Sequence, residues 1–337
     1  MPQQTKILSA LLMIMSGSAG GVCLAQGQQG LESYALVHPF GLSYATTGRQ
    51  FGMGGVLTCV GDLGFANPAF AATQEHESLS WRLSRTKFDS GLDLVDSHVH
   101  MVMPIRPHEN GLQVTLFSLH TTSGRLTVPG VGPLAVDLSE EDISLQYGHR
   151  LSSRLTGGLG ISPTSEIEMK LDAPGGVPVM HIAAESDYGA RVGLAYEWMP
   201  RSYVGLVYDR YQETVKGVGI GFGGMTRQAF HTDLLALGVS GYATHNLLLA
   251  AEYQRGRSRA GSVGGSLCGW HFGAELTAGD NVALRAGLND EQLTLGVGYE
   301  TDRWRFDYAF VQDWNDDVAG SLFGGSDTHQ LQAIYRW

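Results

Sequence analysis

Apolar and polar positions alternate with a period of two through most of this chain, from about Glu77 to Trp337. In the segment 304–310, one face carries Trp, Phe, Tyr and Phe, and the other carries Arg, Asp and Ala. The segment 328–337, THQLQAIYRW, repeats the pattern and ends on an aromatic residue. A period of two predicts β-strands rather than helices. Strands with one apolar and one polar face are typical of outer-membrane β-barrels, in which the apolar face meets lipid and the polar face meets the lumen.

The alternating segments predict about fourteen strands. They lie near residues 77–86, 93–105, 111–121, 141–150, 154–171, 186–198, 202–214, 231–243, 246–256, 269–278, 281–289, 291–300, 303–314 and 327–337. The even-numbered links are short, as at 199–201, and most odd-numbered links are longer, as at 215–230, with Asp290 as an exception. Short periplasmic turns and longer outer loops explain this asymmetry, whereas a soluble sheet sandwich does not. The sequence therefore predicts an all-β fold, a transmembrane antiparallel β-barrel of about 14 strands.

The N-terminal residues have the features of a secretory signal, which we predict to span residues 1–25. Lys6 precedes a short apolar run at Ile7–Met15, and Cys23–Ala25 offers a cleavage site with small residues at its −3 and −1 positions. The apolar run is too short for a transmembrane helix. Lipidation at Cys23 is the weaker alternative.

The segment that follows the signal differs from the rest of the chain. Residues 26–76 are glycine-rich and show little sustained alternation, yet they contain enough apolar residues to pack. We predict that 26–76 form a periplasmic plug, or hatch, and that 77–337 form the barrel; a disordered leader is the alternative for the first segment. The expected location of the mature protein is the outer membrane of a diderm bacterium.

Composition narrows the class of protein further. Charged residues make up 16% of the chain and the mean hydropathy is −0.05, as expected when only alternate residues face lipid. The net charge is −11 without a long basic run, so we expect no nucleic-acid partner. The 46 glycines suit turns and closely packed lumen positions. Cys59 and Cys268 remain after cleavage, and the sequence leaves open a disulfide or two free thiols.

The most specific short motif lies in the predicted plug, at Thr46–Phe70, and reads TTGRQFGMGGVLTCVGDLGFANPAF. Its glycines permit tight turns and positive φ angles. Asn67 followed by Pro68 initiates a turn or a short helix, and Asp62 can cap a neighbouring turn. The predicted plug residues are Gly48, Arg49, Gly54, Gly55, Asp62, Asn67 and Pro68.

This motif, placed between a signal peptide and a barrel, resembles the FadL-type outer-membrane transporter superfamily. The runs FGAE at 272–275, NVALRAG at 281–287, LTLGVG at 293–298 and RFDYAF at 305–310 are similar to the C-terminal part of its PorV/PorQ-like branch. The superfamily resemblance implies a fourteen-stranded barrel whose hatch is held by Asp62, Asn67 and Pro68, and which moves hydrophobic molecules across the outer membrane. The PorV/PorQ-like branch implies instead service to a protein secretion and surface-attachment machine.

One feature departs from the superfamily, in which a kink in the third strand is associated with sideways opening of the wall. The predicted third strand, at 111–121, has no internal Pro or Gly break. The clearest interruption is Pro163, in the fifth strand. The sequence therefore gives no support for lateral release into the membrane.

Polar residues on the predicted inner face are the candidate site residues. They are Asp96, His98, His100, Arg191, Glu197, Glu252, Glu275, Arg285, Arg305 and Asp307. We expect their acidic and basic groups to pair with one another or with the plug, the alternative being selectivity charges. His98 and His100 share a face and could bind a metal with His271, but hydrogen-bonded histidines account for them, so we predict no metal and no cofactor. No GxSxG motif is present, and we predict no enzymatic activity.

Two functions follow from these features. The first is an outer-membrane barrel that captures or passes a hydrophobic small molecule through a plugged lumen. The apolar segment 172–182 is then a capture surface or the upper part of a strand hairpin. The alternative is a PorV/PorQ-like scaffold or shuttle of a type IX-like secretion machine. The expected partners are outer-membrane lipid and either a hydrophobic small molecule or secretion-system proteins.

Overall fold

The computed structural model describes residues 47–61, 63, 66–128, 132–219, 226–260, 263–290, 292–312 and 325–337. The predicted signal peptide, residues 26–46 of the predicted plug and Asp62 lie outside the described residues. In the described part of the chain, two short helices precede fifteen strand segments. No helix in that part is long and apolar enough to cross a membrane.

The helices and strands follow one another with few long connections. The helices are α1 (Gly48–Gly52) and a 3₁₀ helix (Pro68–Thr73). The strands are β1 (Ser78–Phe88), β2 (Asp93–Arg106), β3 (Asn110–Ser123), β4 (Arg125–Val128), β5 (Gly132–Arg150), β6 (Leu155–Ala173), β7 (Val177–Met199), β8 (Ser202–Gly219), β9 (Thr226–Tyr242), β10 (Leu247–Ala260), β11 (Val263–Ala278), β12 (Val282–Asn289), β13 (Gln292–Glu300), β14 (Trp304–Gln312) and β15 (Ser326–Arg336).

All these strands belong to one antiparallel sheet that closes on itself. β1 pairs with both β2 and β15, and β3 pairs with β5, which completes the ring. β3 and β4 are two parts of one barrel strand because both pair with β5. The fifteen segments therefore form fourteen barrel strands, and the predicted fold is confirmed.

The outer surface of the barrel carries an apolar belt. Its exposed side chains include Leu79, Trp81, Leu116, Leu159, Leu194, Leu237, Leu295, Phe306 and Leu331. The alternate positions point inwards: on β15, Leu331 is 57% exposed, whereas Gln330 is 0% exposed. An apolar belt of this size around a closed barrel is matched by the hydrocarbon of a membrane. The short turns define the periplasmic end of the barrel.

Strands at the opposite end are longer than the sequence predicts. β5 begins at Gly132 rather than near residue 141, and β7 begins at Val177 rather than near residue 186. The predicted apolar outer loop at 172–182 is therefore the upper part of the β6–β7 hairpin, the second of its two predicted structures. Because of these extensions, the inner wall of the barrel continues above the level of the apolar belt.

The wall between β6 and β7 contains a gap in its hydrogen-bonded ladder. Ser162 pairs with Gly189 and Glu166 pairs with Glu185, but 163–165 form no pairs with 186–188. The register of β6 also shifts against β5 at this level, and that of β7 shifts against β8. These irregularities reverse which alternate positions face inwards in the upper parts of β6 and β7.

The third barrel strand is interrupted as well, at Gly124 between β3 and β4. The sequence predicts no break within 111–121, and the structure shows none there. The strand continues beyond residue 121, and its interruption lies in that continuation. Two hydrogen bonds bridge this interruption: Val136 N donates to Gly124 O at 3.1 Å, and Leu138 N donates to Thr121 Oγ1 at 3.2 Å. The wall is therefore hydrogen-bonded across Gly124, whereas its ladder lacks pairs at the β6–β7 gap.

Candidate functional site

The described plug residues lie inside the barrel at its periplasmic end. α1 is closed at its start by a capping box, in which Thr47 Oγ1 accepts from Gln50 N and Gln50 Oε1 accepts from Thr47 N. Gly54 and Gly55 follow with φ angles of 76° and 75°, the left-handed region that favours glycine. The chain thus turns sharply as it leaves α1.

The 3₁₀ helix is fixed to both the plug and the wall by Asn67. Asn67 Oδ1 accepts from Ala69 N at 3.1 Å, and Pro68 occupies the first helical position. Asn67 Nδ2 donates to Thr58 O at 2.8 Å and to Leu194 O, on β7, at 3.0 Å. One buried amide therefore joins two plug segments to the barrel.

A carboxylate on β10 binds the plug backbone. Glu252 Oε2 accepts from Leu57 N at 3.0 Å, from Thr58 N at 2.7 Å and from Thr58 Oγ1 at 2.6 Å. Glu252 Oε1 accepts from Gln254 Nε2 at 2.7 Å, and the side chain is buried. A buried carboxylate with several donors holds its partners firmly, because losing them leaves polar groups unsatisfied.

Five charged side chains, four of them buried, form an ion-pair cluster between α1 and the wall. Arg49 from the plug and Arg285 from β12 both bind Glu275 of β11, with distances of 2.6 Å and 2.7 Å. Arg285 also binds Asp307 of β14 at 2.6 Å, and Arg305 Nε lies 2.7 Å from Asp307 Oδ2. Four of the predicted lumen residues and one predicted plug residue meet here. The cluster joins α1 of the plug to β11, β12 and β14 through paired charges.

Glycines line the wall where it meets the plug. On nine barrel strands, an added Cβ would lie about 3 Å or less from plug atoms; these glycines are Gly111, Gly148, Gly158, Gly193, Gly205, Gly238, Gly273, Gly287 and Gly296. At Gly238, for example, it would lie 2.6 Å from Thr58 Oγ1 and 2.8 Å from Cys59 Sγ. The plug backbone therefore packs directly against the wall around most of the ring.

The lumen histidines do not converge on one point. His100 Nδ1 lies 2.7 Å from Thr115 Oγ1, and its Nε2 lies 3.2 Å from Leu63 O of the plug. His271 Nδ1 lies 2.9 Å from Gly54 O. Among the described residues, no group of three His, Cys, Asp or Glu side chains could hold a metal ion. These histidines contact the plug.

The remaining predicted lumen residues form separate local pairs. Asp96 lies 2.7 Å from Arg82 and 3.5 Å from His98, whose ring packs 4.5 Å from that of Phe117. This group belongs to β1, β2 and β3, on the side opposite Glu252.

Two further predicted residues lie on β7 but do not meet. Arg191 Nε donates to Asp209 Oδ2 on β8 at 2.9 Å. Glu197 lies at the periplasmic turn, where its Oε1 accepts from Arg201 N at 2.9 Å. The predicted plug residue Gly48 donates from its N to Gln332 Oε1 at 2.7 Å, which ties the start of α1 to β15.

Above the plug, the inner face of the strands from β1 to β7 carries a cluster of apolar side chains, beside the buried carboxylate of Glu140, which pairs with Ile167 in the ladder. The upper apolar cluster consists of Phe88, Leu92, Leu94, Phe117, Leu119, Leu134, Val136, Leu138, Ile167, Met169, Leu171, Ile182 and Ala184. On β6, Ile167 and Met169 point inwards, while Glu168 and Lys170 point outwards. The alternation is thus inverted relative to the membrane belt. This inner surface is the candidate binding site for a hydrophobic ligand.

The two cysteines that the structure describes lie on different sides of the wall. Cys59 is buried in the plug, and Cys268 shares the outer face of β11 with Trp270. They do not form a disulfide with each other, which answers the question that the sequence left open.

The sequence reasoning missed the upper apolar cluster and the wall glycines as sites. The alternation of Leu134, Val136 and Leu138 with polar residues was a usable signal, but these residues fall in a segment predicted as a loop. The glycines carry no local signal, because their neighbours in the plug are distant in sequence.

Solved structures with the same fold span nearly the whole barrel. The toluene transporter TbuX of Ralstonia pickettii is 15% identical with a TM-score of 0.63, over 88% of this chain and 99% of that one. The CymD monoaromatic hydrocarbon channel is 15% identical with a TM-score of 0.59, over 88% and 98%. A FadL homologue of Pseudomonas aeruginosa is 11% identical with a TM-score of 0.53, over 86% and 98%.

Sequence comparisons gave no match beside these structural ones. No protein-family model matches the chain, and no curated protein matches it. At identities of 11–15%, the structural likeness shows a shared fold. The fold and the interior together define a transmembrane β-barrel of fourteen strands with a plug inside its periplasmic end.

Proposed function

We propose that this protein captures hydrophobic small molecules and passes them through the upper part of its barrel. The observation that carries the proposal is the upper apolar cluster, since a water-filled channel has a polar inner wall. The solved structures that share this fold support it, because two of them are described as a toluene transporter and a monoaromatic hydrocarbon channel. Small monoaromatic compounds are therefore the first substrates to test. The outer membrane is the proposed location.

The proposed route leaves the barrel sideways, above the plug. The ion-pair cluster, Glu252 and the wall glycines close the periplasmic end to an apolar molecule. The β6–β7 gap adjoins the upper apolar cluster, since Ile167 and Ala184, which both belong to that cluster, are a paired position just above it. An apolar molecule that leaves here meets the outer edge of the membrane belt.

The test is uptake of labelled toluene by cells that lack other channels for hydrophobic compounds. We expect Met169→Asp to reduce uptake, because it introduces a charge into the upper apolar cluster, whereas Met169→Leu keeps the surface apolar. Heat-modifiable migration in gels checks that each variant forms a barrel. Wild-type uptake by a folded Met169→Asp variant would contradict the proposal.

The PorV/PorQ-like motifs support a second proposal, a scaffold or shuttle role in a protein secretion machine. The four motifs lie on β11, β12, β13 and β14, and they contain Glu275, Arg285, Arg305 and Asp307 of the ion-pair cluster. Deletion of the gene should then impair secretion of surface proteins, and Met169→Asp should restore secretion without restoring toluene uptake. Normal secretion in the deletion strain rejects this role and leaves the transport proposal standing.

A further inference from the structure

Three arginines form a row on the outer face of β10, at the end of the barrel remote from the periplasm. Arg255, Arg257 and Arg259 are all exposed, while Glu252 and Gln254, on the other face of the strand, are buried in the lumen. Residues at i, i+2 and i+4 of a strand stand about 7 Å apart on one face. The arginine row is thus a line of three charges along the outside of the wall.

The arginine row begins where the lipid-facing surface ends. Just below it, Tyr253 packs against Trp270 of β11 with ring centroids 5.1 Å apart, and Trp270 stacks on Phe272 at 6.0 Å. Aromatic side chains concentrate at the boundary between hydrocarbon and headgroups. The guanidinium groups are therefore at the height of lipid headgroups in the outer leaflet.

Among the described residues of the neighbouring strands, the positions opposite the row carry a single carboxylate. Opposite the row on β11 are Cys268, Ser266 and Gly264, which carry no charge. On β9 the opposing residues are Leu235, Asp233 and His231.

The one carboxylate among those opposing residues is directed towards another strand. Asp233 Oδ1 accepts from the Tyr208 hydroxyl at 2.5 Å and lies 3.9 Å from Arg210 Nε, both on β8. The whole chain carries a net charge of −11, so a basic row is not a consequence of its composition.

We propose that the arginine row binds the phosphate groups of phosphorylated glycolipid in the outer leaflet. A guanidinium group matches a phosphate through two parallel hydrogen bonds. The acyl chains of the same lipid would lie along the apolar belt below, on Leu249 and Tyr253, whereas free phosphate offers no such contact. The occupant is therefore a lipid rather than a soluble anion.

The experiment uses the full-length protein in detergent and measures binding of diphosphoryl lipid A by native mass spectrometry. The test variant is Arg255→Gln/Arg257→Gln/Arg259→Gln. The control, Arg106→Gln/Arg154→Gln/Arg303→Gln, removes the same charge from exposed positions at the periplasmic end. We expect the test variant to bind about a hundredfold more weakly, from the attraction of each arginine to an anionic surface, and the control to bind as wild type.

Two further arms identify the ligand. Dephosphorylated lipid A should bind wild-type protein as weakly as diphosphoryl lipid A binds the test variant, and millimolar inorganic phosphate should not displace the lipid. The proposal is overturned if the folded test variant keeps wild-type affinity, if the control loses as much affinity, or if inorganic phosphate competes fully. The last result would indicate a soluble-anion site. None of these outcomes depends on the proposed transport function.

Discussion

Glu252 of the barrel wall and Thr58 of the plug are joined by two hydrogen bonds, from Thr58 N at 2.7 Å and from Thr58 Oγ1 at 2.6 Å. Both residues are buried. We expect Glu252→Ala to leave the backbone amides of Leu57 and Thr58 without an acceptor, which costs about 1–3 kcal/mol per unsatisfied group. Hydrogen exchange at these amides should accelerate, while Glu300→Ala, at an exposed site, leaves it unchanged. Equal protection in both variants would show that Glu252 does not hold the plug.

The wall glycines give a second prediction, with a control on another strand of the same sheet. Gly205→Ala places a methyl group against the carbonyl oxygen of Thr58, whereas Gly256→Ala meets nothing within 4 Å. We expect Gly205→Ala to destabilise the packed plug by about 1–3 kcal/mol and Gly256→Ala to be nearly neutral. Protease sensitivity of the plug in the folded barrel measures the difference. Identical protease sensitivity of the two variants would mean that the plug moves away from the added methyl group at no cost in free energy.

Arg285 is the centre of the ion-pair cluster, because it binds both Glu275 and Asp307. Arg285→Met should leave Glu275 with Arg49 and Asp307 with Arg305 as remaining partners, and the lost charged hydrogen bonds should lower the free energy of unfolding by about 1.5–3 kcal/mol. Arg336→Met is the matched control: it removes an exposed pair with Glu300 and should cost about 0–1 kcal/mol. Urea unfolding in lipid vesicles tests this, and equal losses would count against the structural role of the cluster.

A disulfide that joins β6 to β7 at the gap should affect transport alone. A Cβ on Gly189 would lie 3.1 Å from Cβ of Ser162, so Ser162→Cys/Gly189→Cys places two thiols within reach of a disulfide at the lower edge of the gap. Under oxidising conditions toluene uptake should fall, and a reducing agent should restore it in the same cells. Uptake that is insensitive to oxidation would place the exit elsewhere.

The strand count and the membrane belt could be predicted from the sequence because lipid imposes a strict local rule. Every second residue in the belt must be apolar, so segments such as 304–310 are recognisable on their own. Above the belt that rule no longer applies. Leu134, Val136 and Leu138 are apolar on the inner face, and the irregularities near Pro163 and Asp187 change the phase of the alternation.

The site was predictable only in part, for a different physical reason. Charged residues such as Glu275, Arg285 and Asp307 are conspicuous in a lumen, and their pairing follows from the cost of burying single charges. The contact of Gly205 with Thr58 depends on two segments that are far apart in the chain. A pattern of residues adjacent in the sequence cannot indicate such a contact.

Because the wall meets the plug through glycine, it recognises the main chain of that segment more than its side chains. Sequence change among related barrels should therefore be greater in the plug than at the wall glycines that contact it. Plug side chains that do not bind the wall, unlike Arg49 and Asn67, are free to diversify between related barrels, while the positions equivalent to Gly193, Gly205 and Gly287 should resist any substitution that adds a carbon. Related barrels could therefore change which molecules they admit while keeping the same contacts between the wall glycines and the plug.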